Sequence, residues 1–194
     1  MEYSISSTKG FDSPNVAWWD DAIAEENLES LRALAMQSKQ KAVVGNGEAT
    51  SVNLEIRRST IKWLSYQDAT QLYSILGRVV EDLNADFFRY DLSGFKEQLQ
   101  LTNYSSDDQG TYHWHMDKGG SVSRKLSLSL QLSDPDSYEG GELQLNFGGK
   151  EPIVVPKKKG LITVFPSWAI HQVTPVTSGS RQSLVGWVAG PNFK

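Results

Sequence analysis

The stretch LSLSLQL, residues 126–132, decides the fold class. Successive side chains of an extended chain point to opposite faces, so Leu126, Leu128, Leu130 and Leu132 share one face and Ser127, Ser129 and Gln131 the other. The leucine face needs an apolar partner. The polar face suits either water or the inside of a barrel that holds a polar ligand, and the pattern admits both. EQLQLTNY (97–104) alternates in the same way, and ELQLNF (142–147), PIVVP (152–156), GLITVFP (160–166) and RQSLVGWV (181–188) read as further short strands. The segment SDPDSYEGG (133–141) is dense in turn formers. Many short strands separated by turns predict a sandwich or barrel.

Upstream of residue 97 the texture changes. Residues 18–38 place Ile23, Leu28, Leu31, Leu34 and Ala35 near helical period, with acids early, and predict a helix. GNGEATS (45–51) reads as a loop and NLEIRRSTIKW (53–63) as extended chain. Ser65 and Asp68 form a capping pattern, followed by the stripe Leu72, Ile75, Leu76, Val79, Val80 and Leu83, which predicts a second helix. The expected architecture is a single α+β domain over 1–194. About 1–96 is helical support and about 97–190 an antiparallel double-sheet barrel.

The chain has 194 residues and a net charge of −4, with 39% hydrophobic residues and six Trp, seven Tyr and seven Phe. A chain of this size buries roughly 70% of its unfolded surface. The acidic balance argues against a nucleic-acid partner. No apolar run approaches a membrane span and the first residues lack a signal-peptide pattern, so a soluble, cytoplasmic protein with no membrane partner is expected. There are no Cys and three His, His113, His115 and His171. Disulfides, thiolate metal sites and thiol nucleophiles are excluded, and any metal must use His and carboxylate.

In TYHWHMDKGG (111–120), strict strand alternation would put His113, His115 and Asp117 on one side. Alone, His-x-Asp is a common pattern, equally met by a half-buried His and a surface Asp. The C-terminal block alters the balance: His171 follows an apolar strand and a turn, and Arg181-x-Ser183 comes ten residues later. Two His, one Asp and open coordination positions describe the facial triad of non-haem Fe(II) oxygenases. An Arg offers a planar, permanently charged fork for a carboxylate.

These blocks resemble the Fe(II)/2-oxoglutarate-dependent dioxygenases. YHWHMD resembles the Y-x-x-H-x-D of the prolyl 4-hydroxylase-like branch. SRKLSLSLQLSDPDSYEGGELQL and FPSWAIHQVTPVTSGSRQSL resemble the corresponding segments of PKHD-type hydroxylases, and Trp187 matches a Trp common in prolyl hydroxylases. The resemblance is close over about 97–190 and looser over 18–96. It implies a double-stranded β-helix (jelly-roll, cupin-like) core with N-terminal helices packed against it. It also implies Fe(II) on His115, Asp117 and His171, with 2-oxoglutarate and O2 as co-substrates and ascorbate as an accessory cofactor. Arg181 would pair with the distal carboxylate of 2-oxoglutarate, assisted by Tyr104, Gln131 and Ser183. The expected reaction decarboxylates 2-oxoglutarate to succinate and CO2 and hydroxylates an unactivated C–H. The expected substrate is a peptidyl proline or a small molecule. Halogenating relatives replace the carboxylate at the position of Asp117, so its presence favours hydroxylation.

Other readings stay open at this level. The triad fits a zinc hydrolase, although that leaves Arg181 unexplained, and it fits a non-catalytic metal-binding barrel. His113 reads as a neighbour of the site or a substrate-facing residue. Trp18 and Trp19 read as a hydrophobic staple or packing against the barrel, and Lys157–Lys159 as a solvated hairpin. Trp168 reads as core or as a shield for the metal. Arg57 and Arg58 read as surface residues or as lining of the substrate mouth. The polar segments 40–60 and SDDQG (106–110) are candidate mouth loops.

Overall fold

The computed structural model describes residues 15–44, 51–118 and 121–192. Along the chain these form β1 (Ala17–Trp19), α1 (Glu25–Met36), β2 (Gln40–Lys41), β3 (Arg57–Arg58), β4 (Thr60–Leu64) and α2 (Thr70–Leu83). There follow β5 (Gly94–Phe95), β6 (Leu99–Ser105), β7 (Thr111–His115), β8 (Arg124–Gln131), β9 (Tyr138–Gly140) and β10 (Leu143–Asn146). The chain closes with β11 (Ile153–Val154), β12 (Ile162–Pro166), β13 (Ile170–Val173) and β14 (Val176–Ala189). One sheet runs β1-β12-β8-β14-β6-β4-β2, with β5 and β9 also paired to β14; the other runs β11-β10-β13-β7-β3. All the pairings within these sheets are antiparallel.

The two faces of β8 settle what its alternation left open. Leu126, Leu128, Leu130 and Leu132 pack with Leu28 and Leu31 of α1 and Leu76, Val79 and Val80 of α2, so the leucine face lies under the helices. Ser127, Ser129 and Gln131 are also buried, and Ser129 lines a cavity between the sheets. The same parity governs β14. Leu184 and Val188 join the helix-side core, whereas Arg181, Ser183, Val185 and Trp187 line the cavity. A second core of Leu143, Leu145, Phe165 and Val173 fills the space between the sheets.

The second helix forms where its stripe predicts. The Ser65 hydroxyl accepts from the Asp68 N–H at 3.2 Å and donates to the Asp68 carboxylate at 2.6 Å, giving the expected capping contact one turn ahead of Thr70. The buried Tyr73 hydroxyl donates to Leu64 O and accepts from Leu99 N, each at 2.9 Å, tying α2 to β4 and β6.

Before residue 97 the structure departs from purely helical support: β1, β3 and β4 extend both sheets by pairing with β12, β7 and β6. The first helix starts at Glu25, not at Trp18. Trp18 and Trp19 pair with Thr163 and Ile162 on the edge of the larger sheet, and both are exposed. Asp21, at φ 59°, breaks the chain between strand and helix. The loop 45–50 lies outside the described residues; Val44 and Ser51, which flank it, form an antiparallel bridge. Lys158 pairs with Asp20, Lys159 with Glu25 and Glu29, and Lys157 lies over the Tyr138 ring, so the lysine turn is tied to the start of α1.

Candidate metal centre

His115 ends β7, Asp117 follows it, and His171 lies on β13 directly across from His115. One ligand atom from each of the three lies within 4.8 Å of the others. The Asp117 carboxylate oxygens stand 3.9 Å from His115 Nε2 and 3.5 Å from His171 Nε2. Each imidazole is oriented from behind. His115 Nδ1 lies 2.7 Å from His113 O, and His171 Nδ1 lies 3.0 Å from Ala169 O. A carbonyl only accepts, so each Nδ1 carries the proton and each Nε2 presents its lone pair to the common point. The Ser127 hydroxyl donates to Asp117 Oδ2 at 2.7 Å and fixes the third ligand.

Packing completes the orientation. The Tyr112 ring stacks on His115 with centroids 3.4 Å apart, and Phe165 meets His171 edge-on at 4.9 Å. Burial, followed by repulsion from His171, pushes the His115 pKa down to about 3, which keeps this imidazole neutral at physiological pH. Burial pushes the Asp117 carboxyl up, but the nearby His171 and His115 and the Ser127 hydrogen bond outweigh it and hold Asp117 below its ordinary value. Two imidazoles, each presenting Nε2, and one carboxylate form a donor set that suits a divalent cation of Fe(II) type.

The three residues line a cavity of about 50 Å³ between the sheets. At its inner end lies Arg181 of β14, buried, with Nη1 3.4 Å from Ser183 Oγ and its guanidinium carbon 5.7 Å from the Tyr104 ring centre. Arg181 has no ion-pair partner among the described residues, and a buried unpaired guanidinium calls for an anion. A His-Asp-His triad sharing a cavity with such an Arg matches a co-substrate that chelates at one end and carries a carboxylate at the other.

Comparison with known proteins agrees. The sequence profile of the 2OG-Fe(II) oxygenase superfamily matches residues 99–189. A PKHD-type hydroxylase of Azoarcus sp. (strain BH72) is 31% identical over 173 residues, covering 84% of this chain and 72% of that relative. The chain belongs to the 2OG-Fe(II) oxygenase superfamily, among the PKHD-type hydroxylases. The PKHD-type hydroxylase of Synechococcus sp. (strain CC9605) is 42% identical over 80 residues, and the match spans only 36% of its length. A Pseudomonas putida prolyl-4-hydroxylase superimposes with TM-score 0.70 at 19% identity, covering 92% of this chain and 94% of that one. A prolyl hydroxylase from Trichoplax adhaerens, in complex with a hypoxia inducible factor peptide fragment, gives 0.74 at 13% identity, covering 92% and 85%. At these identities the structural likeness speaks to the double-stranded β-helix fold.

Within this oxygenase fold, Tyr104, Arg181 and Ser183 line the same cavity as the triad. Gln131 sits instead in an adjoining recess, donating to the Tyr138 hydroxyl at 2.9 Å, with Arg181 shared between the two spaces. His113 is exposed and stands outside the ligand cluster. Trp168 is half-exposed, donates to the Tyr90 hydroxyl at 3.3 Å and lines neither the cavity nor its mouth. Of the candidate mouth loops, 40–60 contributes Val43, Val44, Ser51, Ile56 and Arg57 to the basin outside the cavity, whereas 106–110 contributes nothing to it and forms a tight turn. Arg58 donates to Gln109 O at 3.2 Å and lines neither space. Sequence reasoning missed Ser127, Tyr112, Tyr138 and Arg124. Arg124 grips Glu97 through two 2.6 Å bonds, lies over the Trp187 ring and donates to Asp117 O at 3.3 Å. The signal for Ser127 was present in the polar face of LSLSLQL and that for Tyr112 in the Y-x-x-H-x-D block, whereas Arg124 depends on Glu97 and Trp187, far from it in the chain.

Proposed function

We propose that the chain is a 2-oxoglutarate-dependent hydroxylase that oxidises an unactivated C–H of a prolyl residue. The reading is carried by one observation: the oriented His115–Asp117–His171 cluster faces the unpaired, buried Arg181 across a single cavity. His115, Asp117 and His171 hold Fe(II), and Arg181 takes the distal carboxylate of 2-oxoglutarate, with Ser183 and Tyr104 beside it. When bound, Fe(II), 2-oxoglutarate and O2 supply the oxidising chemistry, with release of succinate and CO2. The backbone carbonyls of His113 and Ala169 hold both imidazoles in the metal-binding tautomer, and Ser127 holds the carboxylate. Phe165, Leu143 and Val173 keep water from the cavity walls. Asp117 would serve as a metal ligand in place of a halide, so the product would be an alcohol. The two prolyl hydroxylases of like fold favour a prolyl substrate.

The test is direct. Fe(II) and 2-oxoglutarate added without oxygen are expected to give the visible charge-transfer band of the chelate, and oxygen, with ascorbate present, is expected to yield succinate. Asp117→Ala is expected to lose both. Arg181→Ala is expected to keep the band but to raise the 2-oxoglutarate requirement roughly ten- to a hundredfold, the value of a charge-assisted pair. Absence of band and succinate in the unaltered protein would reject the reading.

A further inference from the structure

The cavity contains a second guanidinium that the reaction as described does not use. Arg57 of β3 is 7% exposed and lines both the metal cavity and the basin outside it. Its Nε donates to Ser59 Oγ at 2.9 Å and its Nη2 to Gln100 Oε1 at 2.7 Å. Both partners are neutral, and Arg57 makes no ion pair among the described residues. The guanidinium carbon lies over Tyr112, 4.6 Å from the ring centre, and Tyr112 in turn stacks on His115. The charge is thus held by two hydrogen bonds and a ring contact, in the cavity that Arg181 also lines.

Charge balance indicates what it is for. Asp117 ionised, a divalent iron, dianionic 2-oxoglutarate and the Arg181 guanidinium sum to zero. Arg124 is neutralised by Glu97. Arg57 leaves one positive charge in a desolvated space, where an unpaired ion is strongly unfavourable. Two of its N–H groups are engaged and the rest of the fork is free to bind. A planar fork with free N–H groups is the geometry that suits a carboxylate.

We propose that Arg57 binds a carboxylate of the substrate, and that this oxygenase acts on a prolyl unit whose own α-carboxylate is free: a peptide C-terminus or the free amino acid. The inference rests on the hydroxylase reading above. Burial sets the proximity, because a carboxylate reaching Arg57 inside the cavity must be carried close to the carbon that is oxidised.

The probes are the peptide Gly-Ala-Pro, its C-terminal amide, L-proline and L-prolinamide. Each is titrated without oxygen into the protein loaded with Fe(II) and saturating 2-oxoglutarate, following the perturbation of the charge-transfer band and, in parallel, the heat of binding. The unaltered protein is expected to bind one of the acids roughly ten- to a hundredfold more tightly than its amide. Which acid binds distinguishes the two sources. In Arg57→Gln the acid-to-amide preference is expected to vanish, and Arg57→Lys to retain part of it. Disturbance of the Tyr112–His115 stack would weaken acid and amide alike, so the ratio separates recognition from support. If Arg57→Gln does not fold, Gln100→Ala, which removes the bond orienting the guanidinium, is expected to lower the ratio. Equal binding of acid and amide, binding of neither acid, or a preference that survives these substitutions would overturn the proposal. Absence of the band itself would instead reject the hydroxylase reading.

Discussion

His113 and His115 are two residues apart on one strand, yet only His115 reaches the cavity. Pairing of β13 with β7 shifts between His171↔His115 and Val173↔Tyr112, so an extra residue is accommodated on β7. This bulge reverses the alternation. Tyr112, three residues before His115, shares its face and stacks on it, and His113 turns outward. The ligand set was legible as residue types at a spacing; the exclusion of His113 was not, because a bulge is a property of the pairing. The supports behind the ligands were equally hidden. Ser127→Ala removes the bond to Asp117 and is expected to weaken metal affinity roughly ten- to a hundredfold with little change in thermal stability, checked by metal titration beside thermal melts. Acid should act through the same cluster. The folded protein lowers His115 from 6.5 to about 3, so the unfolded chain takes up this proton first. Stability of the metal-free protein is therefore full above the unfolded pKa and falls as pH drops from about 6.5 towards 3, by at most about 1.4 kcal/mol per pH unit from this one group. Asp117, also lowered, adds a loss of the same sign below the ordinary carboxyl value of 3.8. Urea unfolding across this range would show the slope, and a flat profile would contradict it.

At the scale of elements, β14 contributes more residues to the cavity wall than any other strand. Its 14 residues pair with β6, β8, β5 and β9, and its inward parity delivers Arg181, Ser183 and Trp187 to one cavity. The elements best legible beforehand were those with one sharply different face, α2 and β8. The start of α1 was misread because the acidic, aromatic run Trp18–Asp21 suits a first helical turn as well as an edge strand, and only the pairing with β12 decides. The short strands β3 and β9 carry too few residues for any period to show. Glycines test the element geometry in opposite directions. Gly140 has φ 70°, and a Cβ there would lie 2.0 Å from Pro175 O where β9 meets β14. Gly140→Ala is expected to destabilise by roughly 1–3 kcal/mol from the backbone alone, and more from the clash. Gly77, inside α2, has open space around its would-be Cβ. Gly77→Ala is expected to stabilise by roughly 0.5–1 kcal/mol. Thermal melts of the pair check both signs.

At the scale of the whole molecule, the larger sheet serves two cores that do different work. The helix-side core of leucines and valines supplies burial, and the inter-sheet space holds the chemistry. Leu76 is fully buried between α2 and the sheet, far in character from any polar group. Leu76→Ala is expected to destabilise by roughly 2–5 kcal/mol with the denaturant slope unchanged and metal affinity of the folded protein retained. Loss of metal binding at a temperature where the variant remains folded would show that the two cores are not separable. The sequence alone determined the alternation of the barrel strands, the stripe of α2 and the restriction of any metal site to His and carboxylate, because period and composition are local properties of the chain. Only the tertiary structure decided that the polar face of LSLSLQL looks into a cavity and not into water. It also decided that β7 bulges, that Arg57 is buried and that Arg181 stands opposite the triad. Each of these is set by which distant strand lies alongside, and strand pairing joins residues whose proximity no local pattern encodes.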